Sequence, residues 1–310
     1  MAARFLKLNC FLIFFTCCLW FFYFQFKTVH IDQEQLFMIK QGTPAYKVVN
    51  QLYDDKIISH KYFANILIKF DFVARNIKPG CYHLTNTDDL YSIFFKFISG
   101  DAQKMVFKII PGFNAEDVKS LIVKHTKINN DHPVIKEGSY YPDSYFYDLN
   151  QPVSQILHSA EESMNNKVNY YWKNRLLGLP LHSPNDLIIV ASLIEKESSD
   201  PNERKKIARV IYNRLDQKIP LQFCSSILYI LKENRPLKFS DLKIESPYNT
   251  YRHKGLPPSP ISYPDESSLE AAAFPDDGDQ IYFVLQPNGD HFFTNDFEQH
   301  KKNKHRTKEN

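Results

Sequence analysis

The chain has 310 residues, 43% hydrophobic and 24% charged, with 38 Lys and Arg against 35 Asp and Glu. That length suits one large or two modest domains with real cores, and a formal charge of +3 without a concentrated basic face argues against a nucleic-acid partner. Aromatics at 15% argue against disorder, and nine glycines with neither GxxxxGK(S/T) nor GxGxxG exclude the two common nucleotide-binding loops.

Arg4 and Lys7 precede an apolar run from Cys10 to Phe26, interrupted only by Thr16 and Gln25. Seventeen helical residues at about 1.5 Å each span roughly 25 Å, the short end of what a bilayer core needs. No small-residue cleavage site follows, so an uncleaved signal anchor is expected. The flanking charges put the N-terminus inside and the bulk of the chain outside the cytoplasm. Cys10, Cys17 and Cys18 fall in this run, which leaves Cys81 and Cys224. There is no CxxC pair for zinc and no disulfide framework, and the expected metal and cofactor content is none. Two thiols are the ordinary expectation, with a Cys81–Cys224 bridge the lesser one.

Residues 28–103 read as a small α/β module. Leu36–Ile39 is a strand, and Thr43-Pro44 opens a helix reaching about Tyr53. A second helix covers Lys61–Phe70, and Gly80–Leu84 is another strand. Thr87 caps a helix over Asp88–Ile98 that ends at Ser99-Gly100. A larger unit, 104–300, follows. It starts with a strand at Val106–Ile110 and a helix capped by Asn114, with Asp117 three residues on. The loop EGSYYPDSYF lies at 137–146. Ser183-Pro184-Asn185-Asp186 and Asp200-Pro201-Asn202-Glu203 start two close helices, and Asp265 caps a short one over Glu266–Ala273. Ile281–Leu285 and His291–Thr294 flank an Asn-Gly turn and form a hairpin. Residues 301–310 are a solvated basic tail.

The helix NDLIIVASLIEKES, from Asn185, carries the chemistry. Successive residues about 100° apart put Leu187, Val190, Ala191 and Ile194 on the core face. Glu197 lies about 60° to one side of that face and Glu195 about 100° to the other. A carboxylate at the margin of an apolar face is partly desolvated, and its pKa rises toward that of a general acid. A lone Glu near a helix end is, however, ordinarily a surface residue.

From Ile189 the chain reads IVASLIEKES, ERKKIARVIYNRL and IPLQ. SPYNTYRHKGLPPSPI, SLEAAAFP and IYFVLQPNGDHFFT follow in that order. With EGSYYPDSYF, these segments resemble the YceG-like (MltG) family of endolytic murein transglycosylases over roughly residues 105–300. The resemblance implies an α+β fold: an N-terminal transmembrane helix (1–27), a LysM-like module (28–103), a lysozyme-like catalytic domain (104–300) and the basic tail (301–310). It implies lytic cleavage of peptidoglycan strands by an inner-membrane protein, with peptidoglycan synthases as candidate partners. The Glu197-Ser198 step is similar to the one bearing the catalytic acid in lysozyme-like transglycosylases. Gln222, Tyr248, Asn249 and Tyr251 carry over as glycan-binding residues, the rings for stacking and the amides for hydroxyl and N-acetyl groups. Glu203 reads as a helix cap, Arg204 as exposed or ion-paired, and His291 as structural more readily than as lining the site.

Two departures from the family pattern stand out. Where the family continues PLQ with Ser/Thr-Asp-Pro-Thr, this chain has Phe223-Cys224-Ser225-Ser226, losing the acid and the proline. Its GLPPGPI has become GLPPSPI at Ser259, losing a glycine suited to φ > 0. These changes point to altered substrate positioning. The altered 223–226 loop also leaves open a non-catalytic glycan-binding or cell-wall assembly scaffold that keeps the fold; a further alternative is a hydrolytic muramidase, which would need a carboxylate or ordered water on the opposite sugar face.

Overall fold

The computed structural model describes residues 13, 15, 16, 20 and 29–306, apart from 41, 126–128, 149–150 and 234. The expected anchor at 10–26 therefore lies almost wholly outside the described residues. Among the described residues no helix is long and apolar enough to cross a membrane. The chain divides into two compact units. The first is Met1–Val106 with 127–129 and 146–151, and the second is the remainder from Phe107 on. The break falls three residues after the expected one at 103, and two short later segments belong to the first unit.

The first unit runs β1 (Gln35–Ile39), α1 (Ala45–Asp54), α2 (Tyr62–Lys69), α3 (Asp71–Asn76), β2 (Gly80–Leu84) and α4 (Leu90–Ser99). β1 and β2 pair antiparallel, Gln35 opposite Leu84 and Ile39 opposite Gly80. Their inward side chains, Phe37, Ile39, Tyr82 and Leu84, bury against Val48, Val49 and Leu52 of α1 and Leu90, Ile93 and Phe97 of α4. Two helix starts differ from the expectation. Asp89, not Thr87, caps α4, because Ser92 three residues on returns the bond and completes a capping box. Pro44, not Thr43, occupies the cap position of α1, which has no side-chain cap.

The chain continues with β3 (Met105–Lys108), α5 (Ala115–Lys124), β4 (Ser144–Tyr147), α6 (Val153–Asn174), α7 (Pro184–Glu197) and α8 (Pro201–Asp216). Then come α9 (Cys224–Leu231), α10 (Glu266–Ala273), β5 (Tyr282–Leu285), β6 (His291–Thr294) and α11 (Phe297–Arg306). β5 and β6 form the expected hairpin, with Val284 opposite Phe292. α7 is the central element. Its Leu187, Val190, Ala191 and Ile194 are fully buried as their spacing requires, and Ile189, Ser192 and Leu193 are buried with them. α8 and α10 pack on α7, presenting Ile207, Ile211, Leu269 and Ala272. Each large side chain so buried contributes about 1.5–3 kcal/mol. Among the described residues four helices were not expected, α3, α6, α9 and α11, and β4 takes up the end of the stretch 137–146 that read as a loop. α11 extends as helix into what read as a solvated tail.

Cys81 and Cys224 are both thiols, Cys81 buried and Cys224 exposed.

Candidate active site

The site is built where α7 ends. Ser183 caps α7 by accepting from the Asp186 amide, Asp186 returns the bond to Ser183, and Pro184 fills the first turn. At the other end Ser198 turns extended (φ −143°, ψ 139°), so Glu197 is the last helical residue. The chain re-enters helix at Pro201 under an Asp200 cap. This tight connection holds the end of α7 beside the first turn of α9, which packs on it.

Glu197 is half-buried. The Ser225 hydroxyl donates to its Oε1 at 2.7 Å. Burial raises its pKa above the usual carboxylate range. Hydrogen bonds from the Ser225 side chain and backbone, and the nearby His291, offset that rise only in part. The carboxyl faces a groove of about 660 Å³ whose wall includes Asn114, Asp117, Lys196, Cys224, Leu228 and Tyr229. A second hollow of about 370 Å³ shares Asn114, Glu116, Tyr229 and Lys232 with it and adds Glu137, Ser246 and Tyr248. The shared residues place the two hollows side by side, with Glu197 on the wall of the first.

Of the residues expected to bind glycan, Tyr248 stands on the wall of the second hollow. Its ring lies 5.1 Å from that of Tyr229, and its hydroxyl is 2.6 Å from Ser259 Oγ. Ser259 does not adopt positive φ, so the glycine lost at this position is not required by the backbone; the serine ties down the Tyr248 hydroxyl instead. Tyr251 reaches the groove wall through Cys224, whose Sγ is 3.1 Å from its hydroxyl. Its pKa is raised, first by burial, then by Cys224 and by the charge of Glu197. Gln222 is exposed in the left-handed region at φ 60°, its Oε1 accepting from Arg214, and it lines neither hollow.

Asn249 corrects its expected role. It is fully buried, its Nδ2 donating to the Leu242 and Ile244 carbonyls and its Oδ1 accepting from the Tyr251 amide. Its amide is consumed in shaping the loop that carries Tyr248 and Tyr251. Both amide hydrogens are used, and full burial keeps the oxygen from a sugar.

The neighbours of Glu197 on its own helix and the next are structural. Glu195 accepts from Arg204, from the Asp265 amide and from the Ser268 hydroxyl, and Arg204 also pairs with Asp265. Arg204 is thus buried between two carboxylates. Glu203 does not cap α8. It accepts from the Ser198 hydroxyl and from the His291 amide, with the His291 ring 2.7 Å away. Burial pushes Glu203 up, but these bonds outweigh it and hold the carboxyl below its usual range.

Three participants were not singled out beforehand. Glu137, in the loop EGSYYPDSYF, accepts from the Ala115 amide and the Tyr229 hydroxyl, and burial raises its pKa. Tyr229 sits on α9, in a stretch that carried no helix signal. Ser225 had been seen only as a departure from a pattern. Gly138, beside Glu137, needs φ +69°, and a Cβ there would come within 2.4 Å of Pro260. This glycine is how the EG step packs flat on the GLPPSPI loop.

The model of the YceG-like family matches residues 37–306. A protein of Bacillus subtilis named endolytic murein transglycosylase is 30% identical over 307 residues, covering 86% of this chain and 82% of its own. One of the same name from Streptococcus pneumoniae is 32% identical over 177 residues, covering 54% of this chain and 31% of its own. The crystal structure of a YceG-like protein from Listeria monocytogenes superposes with a TM-score of 0.59 at 25% identity, covering 88% of this chain and 99% of that one.

Proposed function

The chain belongs to the YceG-like family, and from that premise we propose that it is an endolytic murein transglycosylase in which Glu197 alone serves as general acid and base. It cuts MurNAc–GlcNAc bonds within peptidoglycan strands and leaves 1,6-anhydroMurNAc ends.

The observation that carries the assignment of the acid is Glu197 itself: a carboxyl on a groove wall whose pKa burial raises, with its Ser225 bonds and the nearby His291 offsetting only part of that rise. The other carboxylates on that wall are engaged. Asp117 accepts from the Asn114 amide, Glu116 pairs with Lys119, and Glu233 with Arg235. A single poised carboxyl suffices when the substrate supplies the nucleophile. Glu197 gives its proton to the glycosidic oxygen as the C1–O bond breaks. The resulting carboxylate then takes the proton of the muramyl 6-hydroxyl, whose oxygen closes on C1 of its own ring. The nucleophile is intramolecular, so no water is activated and the acid is regenerated. Tyr229, on the wall of both hollows, and Tyr248, on the wall of the second, offer stacking faces for sugars.

The apolar run at 10–26 supports a single-pass anchor in the cytoplasmic membrane with the catalytic unit outside. The strand–helices–strand order of the first unit supports a LysM-like reading. Protease added to spheroplasts should digest the catalytic unit, and full protection reverses the topology. For the reaction, detergent-solubilised chain on uncrosslinked strands should release internal fragments, and Glu197→Gln should bind strands without cutting them. Binding without cleavage by the unaltered chain would favour the scaffold reading.

A further inference from the structure

We propose that Ser225 is a positioning residue for the acid: its hydroxyl, 2.7 Å from Oε1 of Glu197, holds that oxygen as an acceptor and leaves Oε2 to carry the transferable proton. The inference rests on Glu197 being the acid and adds what makes it usable.

A carboxyl in a groove has two nearly equivalent oxygens, and only one points its proton usefully. An O–H donor at hydrogen-bond distance removes that equivalence, because a proton on the same oxygen would meet the donor's hydrogen. Ser225 is itself fixed. It is buried in the first turn of α9, and its neighbour Ser226 ties that turn to the Phe223 carbonyl and to Thr250 Oγ1. When the proton leaves, the hydroxyl meets a full negative charge and its bond strengthens, favouring the carboxylate that must next act as base. The family pattern has proline here, which has neither a hydroxyl nor an N–H. The departure at 224–226 is therefore a rebuilt support for the acid, not simply an eroded substrate loop.

Several titratable groups face Glu197: His291 from β6, Tyr251 from its loop, Cys224 on α9, Lys196 on α7 and Asp117 on α5. None of them changes in a Ser225 variant, so a shift in pH profile reports the lost donor.

The test is the pH–rate profile of the full chain on uncrosslinked glycan strands for the wild type, Ser225→Ala, Ser225→Thr, Ser225→Pro and Glu197→Gln. Loss of a hydrogen bond to a charged group corresponds to about tenfold to a hundredfold. Ser225→Ala should lower kcat by that factor with little change in KM. It should move the alkaline limb to higher pH, since the carboxylate form loses a stabilising donor. Ser225→Thr, which keeps the hydroxyl, should restore most of both, and Ser225→Pro should lose at least as much as alanine. Should alanine fail to fold, Ser225→Cys keeps the volume but donates weakly and must move the limb the same way. An unchanged limb and kcat in folded Ser225→Ala, or wild-type turnover in Ser225→Pro, overturns the proposal. Undiminished cleavage by Glu197→Gln overturns instead the assignment of the acid, so the two failures are distinguishable.

Discussion

Glu195 and Glu197 sit two residues apart on α7 and live in opposite surroundings. Glu195 lies in an ion cluster under the helix, accepting from Arg204, the Asp265 amide and the Ser268 hydroxyl. Glu197 lies at the groove, where one serine supplies its hydrogen bonds. Both carboxyls are desolvated, but only the first is saturated with donors and locked to a cation. The contrast separates structure from chemistry: a buried acid with every oxygen spoken for braces the fold, and one with an oxygen to spare transfers a proton.

The sharpest way to break that contrast is to neutralise each carboxyl in turn. Glu197→Gln should reduce cleavage by about 10³-fold or more while leaving the protein folded, since general acid catalysis is worth 10²–10⁴-fold and the same group also serves as base. Glu195→Gln should do the reverse, destabilising by about 1–3 kcal/mol as an imperfect partner for Arg204, with turnover of the folded protein within a fewfold of wild type. Strand-cleavage assays paired with urea melts read both. Comparable activity losses from the two variants would erase the distinction.

Next in size is Arg204→Ala. It leaves the enclosed Glu195 carboxylate, and beside it the half-buried Asp265, without their cation and should cost about 3 kcal/mol in denaturant unfolding. Unfolding within 1 kcal/mol of wild type, roughly the worth of an exposed pair, would mean the cluster is not the brace it looks.

The pH dependence of stability sharpens the comparison further. Glu197 has its folded pKa above the unfolded value, so the unfolded chain gives up its proton first as pH rises. Its favourable contribution is complete below the unfolded pKa, near 4.3 for a free Glu, and is lost as pH rises through the folded one. Glu197→Gln should therefore match wild type in thermal melts near pH 4 and exceed it increasingly toward neutrality. Glu203, held down mainly by its bonds with His291, works the other way. Its contribution is present above the unfolded pKa and lost as pH falls through the folded one. Glu203→Gln should lose stability at neutral pH and approach wild type in acid. The smallest expected effect is Ser259→Gly. Losing the 2.6 Å bond to Tyr248 and adding backbone freedom should cost about 0.5–1.5 kcal/mol and raise KM for strands a fewfold, with kcat nearly unchanged.

Much of this was legible in the sequence where one local signal decides the matter. The capping boxes at Asn114 and Ser183, the Asp265 cap and the hairpin about Asn288-Gly289 fall where side-chain chemistry puts them. The core face of α7 follows from its spacing, and with it the marginal place of Glu197. α6 was readable and passed over: Val153, Ile156, Leu157, Ala160 and Met164 keep helical spacing, but the helix starts at Pro152 with no side-chain cap to mark it. α9 was hidden more deeply. Its first turn, Cys224-Ser225-Ser226, reads as the polar end of a loop. Tertiary bonds hold it in place: the Phe223 amide donates to Thr250 Oγ1, the Ser226 hydroxyl lies 2.9 Å from the same oxygen, and the Ser225 hydroxyl donates to Glu197. Asn249 misled for the same reason. An amide in a Tyr-rich loop looks like a sugar ligand until the Leu242 and Ile244 carbonyls are seen to claim it. Propensity and spacing find elements; they do not find which polar atoms are already taken.

One carboxyl suffices because the sugar closes on itself, and the atoms of the product report whether it does. Uncrosslinked strands digested in water enriched in oxygen-18 should yield muramyl ends that carry no label and are lighter than reducing ends by one water. Labelled reducing-end muramic acid would show that water, not the 6-hydroxyl, attacks C1. A second group would then have to activate it, and the account of Glu197 as sole acid and base would be wrong.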